Sequence, residues 1–147
     1  MAADFTITFI NTSTIPFYRL GFRHEMDAVL GTIHTEPGMT LLGGHGQESF
    51  IWSQSLSTIA STSYGQVLWR NDKTGKKFGV KIAAPFQMFT AGSAPYYQTK
   101  TNDEDWKGEH RSEVFNFDSS ALGFNVVVHP VATHTTLGVT VTISDSS

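Results

Sequence analysis

Tyr64-Gly65-Gln66-Val67-Leu68-Trp69-Arg70-Asn71-Asp72-Lys73-Thr74-Gly75-Lys76-Lys77-Phe78-Gly79-Val80-Lys81-Ile82 decides the fold class of this chain. Phe78, Val80 and Ile82 fall on one side of an extended segment, with Gly79 and Lys81 on the other. That period of two is the signature of a half-buried strand. Tyr64–Arg70 is rich in the residues that suit a pleated surface. Between the two lies Asn71–Lys76, in which Asn and Asp initiate a reversal and Gly75 supplies the positive φ that closes it. The stretch predicts a β-hairpin with a basic tip.

The same alternation recurs along the chain. Phe5, Ile7 and Phe9 oppose Thr6 and Thr8, while Leu137, Val139, Val141 and Ile143 oppose Gly138, Thr140 and Thr142. Pro16–Arg23, Glu48–Gln54, Glu113–Phe117 and Gly123–His129 are further strand candidates. Val126, Val127 and Val128 are consecutive, which predicts a central strand covered on both faces. Pro37-Gly38 and Gly43-Gly44-His45-Gly46 mark reversals, and Asp118–Ser120 and Ala132–Thr136 separate the last strands. Helical periodicity is nearly absent, with at most one short turn over His24–Leu30. About eight or nine short, regularly punctuated strands without a linker or repeat predict an all-β, single-domain antiparallel β-sandwich over residues 1–147.

Composition narrows the function classes. A charged fraction of 16% argues against disorder, and a net charge of −3 leaves no broad basic surface for nucleic acid. The absence of cysteine excludes disulfides and thiolate metal sites. The start, Met1-Ala2-Ala3-Asp4-Phe5, has no basic n-region or long apolar run, so no signal peptide is expected, and Asn11-Thr12-Ser13 matches the glycosylation sequon by chance. No window approaches the roughly 18 apolar residues of a spanning helix. The expectation is a soluble protein, cytoplasmic or released by an unconventional route.

Catalytic and metal signatures are missing. The histidines at 24, 34, 45, 110, 129 and 134 show neither two-His helical spacing nor a Cys/His pairing. The acidic run Asp103-Glu104-Asp105 lacks the alternating ligands of a Ca²⁺ loop and reads as solvated. No Gly-x-Ser-x-Gly elbow, phosphate-binding glycine loop or His-Glu-x-x-His occurs. Neither an enzyme, nor a metal, nor a cofactor is expected.

The segment after the hairpin carries the functional signal. Ala84-Pro85-Phe86-Gln87-Met88-Phe89-Thr90-Ala91-Gly92-Ser93-Ala94-Pro95-Tyr96-Tyr97 is aromatic yet broken by Pro85, Gly92 and Pro95, so it reads as a loop. Trp52 and Trp69 are expected to pack at the ends of the core, whereas for Phe86, Phe89, Tyr96 and Tyr97 the core and exposed readings stand level. Exposed, such rings suit a membrane–water boundary, being apolar with polar tips.

Several motifs together resemble the aegerolysin family, small acidic all-β proteins that bind membrane lipids. They are Phe5–Asn11 ending in an Asn turn; Ser61-Thr62-Ser63-Tyr64-Gly65-Gln66-Val67-Leu68-Trp69-Arg70; Phe78–Ile82 running into Ala83-Ala84-Pro85-Phe86; and Ala91-Gly92-Ser93 with Tyr96. The sequence departs from the family at Ala84-Pro85-Phe86, where familiar fungal members carry Cys-Pro-Trp, and at the insert Gln87–Thr90. The resemblance implies a sandwich that recognises a sphingolipid-rich surface, sometimes with a larger pore-forming partner protein in a cytolytic or insecticidal toxin. Pro85 and Phe86 carry over from the family's lipid-contact loop. Phe89, Tyr96, Tyr97, Trp106 and Lys107 join the expected lipid-binding set by proximity and chemistry, Lys107 or Arg111 meeting a lipid phosphate. Two rival readings are a lectin using Trp106 beside Asn102, Asp103 and Asp105, and a structural protein that self-assembles through its aromatics.

Overall fold

The computed structural model describes residues 2–25, 31–55, 63–84, 94–132 and 136–146. They form β1 (Ala2–Asn11), β2 (Phe17–Glu25), β3 (Gly31–Thr35), β4 (Thr40–Leu41), β5 (Gly46–Ser55), β6 (Ser63–Arg70) and β7 (Lys77–Ala84). Then follow β8 (Tyr96–Thr101), β9 (Lys107–His110), β10 (Phe115–Asn116), the helical turn α1 (Ser119–Leu122), β11 (Phe124–Ala132) and β12 (Leu137–Asp145). Two six-stranded sheets result, ordered β10-β11-β12-β1-β5-β3 and β4-β2-β6-β7-β8-β9. The chain is an all-β sandwich.

The central hairpin pairs Arg70 with Lys77 and Gln66 with Lys81, and the Gly75 N–H donates to the Asn71 carbonyl at 2.8 Å with Gly75 at φ 75°. One pairing departs from the antiparallel expectation: β1 runs parallel to β12, Phe5 opposite Leu137 and Asn11 opposite Ile143. The first and last strands lie side by side inside one sheet, and period-two alternation carries no information about strand direction.

The core fills the space between the sheets. Phe5, Ile7 and Phe9 of β1, the β12 row and Phe124, Val126 and Val128 face Phe17, Val67, Trp69, Phe78, Val80, Ile82 and Tyr97. Aromatic contacts cross the gap: Phe17 meets Phe124 at 4.9 Å between ring centroids, and Phe9 meets Trp69 at 5.5 Å. Trp52 and Trp69 are buried, as packing requires. Gly65 exists for Trp52, since a Cβ there would lie 2.7 Å from the indole Cη2. Val127 is only half-buried, so β11 is covered fully on one face and partly on the other.

A polar corner closes one end. The buried Asn11 amide donates to the carbonyls of Ile15 at 2.6 Å and Leu41 at 3.3 Å, and its Oδ1 accepts from Ser13 N and Oγ. At the opposite end several strand termini converge. Glu25 is opposite Tyr64, Ser63 opposite Ala84, Ala83 opposite Tyr96, and Gly31 opposite Gln54. The Trp52–Gly65 approach brings the two sheets together near that end.

Candidate binding surface

Alternation within the second sheet decides which side chains reach solvent. In β8, Tyr97 and Thr99 are buried and face the first sheet, so Tyr96, Gln98 and Lys100 point outward. Tyr64, Gln66 and Leu68 of β6 and Gly79 and Lys81 of β7 share that outer face. Trp106, just before β9, lies across it: a Cβ on Gly79 would be 3.0 Å from both the indole Cη2 and Leu68 Cγ. Gly79 is therefore the floor on which Trp106 rests, a role its place opposite Leu68 in the hairpin did not advertise.

Lys81 sits at the centre of this face. Its ammonium is 4.5 Å from the Tyr64 ring centroid and 5.2 Å from that of Trp106. This is cation–π geometry on two sides. Partial burial pushes the Lys81 ammonium below its ordinary value. Lys81 is thus half-buried between rings and not simply a charge on a solvated face, as its alternation alone suggests. Burial, and secondarily the Glu109 carboxylate, raises the Tyr96 phenol.

The expected contact residues separate into groups. Phe86 and Phe89 lie outside the described residues. Tyr96 and Trp106 are half-buried on the outer face, and Lys107 is exposed with its ammonium 3.1 Å from Glu104. Tyr97 is corrected: it is fully buried, its hydroxyl donates to the Glu113 carbonyl and its ring packs at a tilt against His110, 5.0 Å between centroids. Because residues 96 and 97 are neighbours on a strand, one faces out and the other must face in. Tyr64 and Lys81 were missed by sequence reading; the outward register of the hairpin was the signal that could have found them.

Two of the polar residues named for a sugar beside Trp106 also hold the frame together. Asn102 accepts from Lys77 N at 3.0 Å and donates to the Ala121 carbonyl at 3.2 Å, and Asp103 pairs with Lys77 at 2.5 Å. That hydrogen bond and the Lys77 charge hold the Asp103 carboxyl below its usual range. Among the described residues no group of three His, Asp or Glu side chains could hold a metal ion, and no helix is long and apolar enough to cross a membrane. His34 bonds Ser53 at 2.8 Å, and His45 sits at φ 75° in its turn. No family model matches the chain, and no curated protein matches it either.

Proposed function

We propose that the protein is a non-enzymatic membrane-lipid binder that docks through the outer face of its second sheet. The observation that carries this reading is the Tyr64–Lys81–Trp106 cluster, an ammonium between two half-exposed rings. Rings of this kind bring apolar area to the headgroup boundary while their polar tips stay wet. Lys81 and Lys100 add positive charge for lipid phosphate.

Each half-buried ring would contribute about 1 kcal/mol on full burial, under the 1.5–3 kcal/mol of a fully exposed side chain. Two or three such rings give reversible adsorption without insertion of a spanning element. The aegerolysin resemblance adds a sphingolipid preference and a larger pore-forming partner protein to the reading, which makes the chain the membrane-recognising component of a cytolysin.

Tryptophan fluorescence with vesicle sedimentation tests the proposal. Trp52 and Trp69 are at most 1% exposed, so Trp106 dominates any spectral change on contact with lipid. Sphingomyelin–cholesterol vesicles are expected to shift the emission to the blue, and Trp106→Ala with Tyr96→Ala to weaken sedimentation about 20- to 30-fold together. Undiminished sedimentation of that double variant would remove this face as the docking surface.

A further inference from the structure

The two sheets part at the side where β9 and β10, both short edge strands, fail to meet. A cleft of about 460 Å³ opens there, lined from the second sheet by Thr99, Thr101 and His110 and from the first by Phe115, Asn116 and Asp118. Its volume is in the range of small-ligand sites.

The lining is unusual for its place in the fold. Tyr97, Thr99 and Thr101 form the inward row of β8, opposite Ile82, Val80 and Phe78. A sandwich interior calls for apolar side chains at those positions, yet two of the three are hydroxyls. Thr99 is only 4% exposed and lines the cleft, and no side-chain hydrogen bond takes up its hydroxyl among the described residues. The side chains of Thr101, His110 and Asn116 likewise make none there. Facing an open cleft, such hydroxyls are satisfied by water or by the polar groups of a ligand that displaces it.

Beside these hydroxyls stands an aromatic wall. His110 lies between Tyr97 and Phe115, each ring tilted 39° to it at 5.0 Å between centroids. Gly108 allows this: it sits at φ 91°, and a Cβ there would lie 2.7 Å from Cδ2 of the His110 ring. Asp118 adds an ionised acceptor, because its bonds from Ser120 Oγ and N hold its carboxyl below the usual range.

Charge narrows the ligand class. Lys107 at the rim is paired with Glu104, and Asp118 is negative, which disfavours phosphate or carboxylate ligands. The described residues hold no three-carboxylate or histidine group for a cation. What remains is a set of hydroxyl, amide and carboxylate groups beside an aromatic face, the combination that suits a neutral ring carrying several hydroxyls. We infer that this inter-sheet cleft binds a pyranose unit of a glycan, at a site separate from the Tyr64–Lys81–Trp106 face and independent of the lipid reading.

The test is an amide-resolved NMR titration of the full chain with the methyl glycosides of glucose, galactose, mannose, fucose and N-acetylglucosamine. At least one is expected to produce saturable shifts, with a millimolar dissociation constant, centred on Thr99, Thr101, Gly108 and Asn116. Thr99→Val, which keeps shape and burial, is expected to weaken that binding about tenfold while leaving vesicle sedimentation unchanged. Asn116→Ala, at an exposed position, provides a second variant that does not threaten folding. The proposal is overturned if none of the glycosides moves these amides, if both variants bind like the parent, or if inorganic phosphate reproduces the same saturable shifts.

Discussion

Replacing Tyr97 with phenylalanine separates its structural role from a contact role. The ring is fully buried against His110, so Phe keeps the packing and deletes only the hydroxyl that donates to the Glu113 carbonyl. One hydrogen bond of this kind is worth about 1 kcal/mol net. The loss should loosen the segment leading into Phe115 and Asn116, the far wall of the cleft. The pH dependence gives a sharper signature. Burial, and secondarily the Glu113 carboxylate, pushes the Tyr97 phenol up to about 12 from 10.0. Below pH 10 both folded and unfolded chains keep the proton, and the stabilisation is fully present. From pH 10 toward 12 the unfolded chain releases the proton while the folded chain retains it, so stability falls, by up to about 1.4 kcal/mol per pH unit from this one group. Urea denaturation followed by tryptophan fluorescence, at about pH 8 and about pH 11, should show the parent more stable at the lower pH and the gap closing at the higher. Tyr96 also titrates high but is common to both proteins, so the difference isolates Tyr97. A gap that stays constant with pH, or no gap near neutrality, would refute the buried, proton-retaining phenol.

Two further substitutions probe the frame that carries both surfaces. Gly65→Ala places a methyl group 2.7 Å from Trp52 Cη2 and 2.9 Å from Phe50 Cε2. Overpacking should cost about 1–3 kcal/mol, outweighing the smaller gain from a stiffer unfolded chain, and a lowered urea midpoint with an unchanged slope would register it. Asn11→Ala strips the buried corner of its donors to Ile15 and Leu41 and its acceptor for Ser13. A loss of about 3 kcal/mol is expected from the unpaired groups, measured in the same assay, and a neutral result would mean that the corner repacks.

The strands that can be read from sequence are those whose two faces differ in chemistry. β1, β12 and the β6–β7 hairpin bury Phe, Val, Ile and Leu on one side and expose Thr, Gly or Lys on the other, so their alternation is plain. β8 does not announce itself: Tyr96 and Tyr97 belong to the proline-broken stretch that reads as loop, and Tyr97, Thr99 and Thr101 face inward with hydroxyls where contrast requires hydrocarbon. β9 has four residues with a glycine among them, and β4 has two, too few for any period to appear. Glu113–Phe117 reduces to the paired residues Phe115 and Asn116, with Glu113 and Val114 exposed. The aromatic surface was legible at Tyr96 and Trp106. Its centre was hidden, because the approach of Lys81 to Tyr64 and Trp106 depends on strands whose pairing sequence alone does not state.

The edge formed by β8 and β9 explains why one region holds two chemically different surfaces. Sheet edges invite pairing with other chains, and short strands, charges and bulges blunt them. β9 is short, carries Lys107 and Glu109, and pairs with β8 through a register shift between Tyr97 and Thr99. A blunted edge leaves the sandwich unclosed at its side. Inward positions of β8 beyond Tyr97 then lie at a water-accessible gap, where valine or isoleucine would be left partly wet and a hydroxyl is favoured. The outward positions of the same strand continue the face that Trp106 covers. A ring at position 97 seals the core, a hydroxyl at 99 opens the cleft, and Tyr96 extends the aromatic face. Strand alternation therefore assigns neighbouring residues to separate tasks, and a variant at one position can be read without disturbing the other.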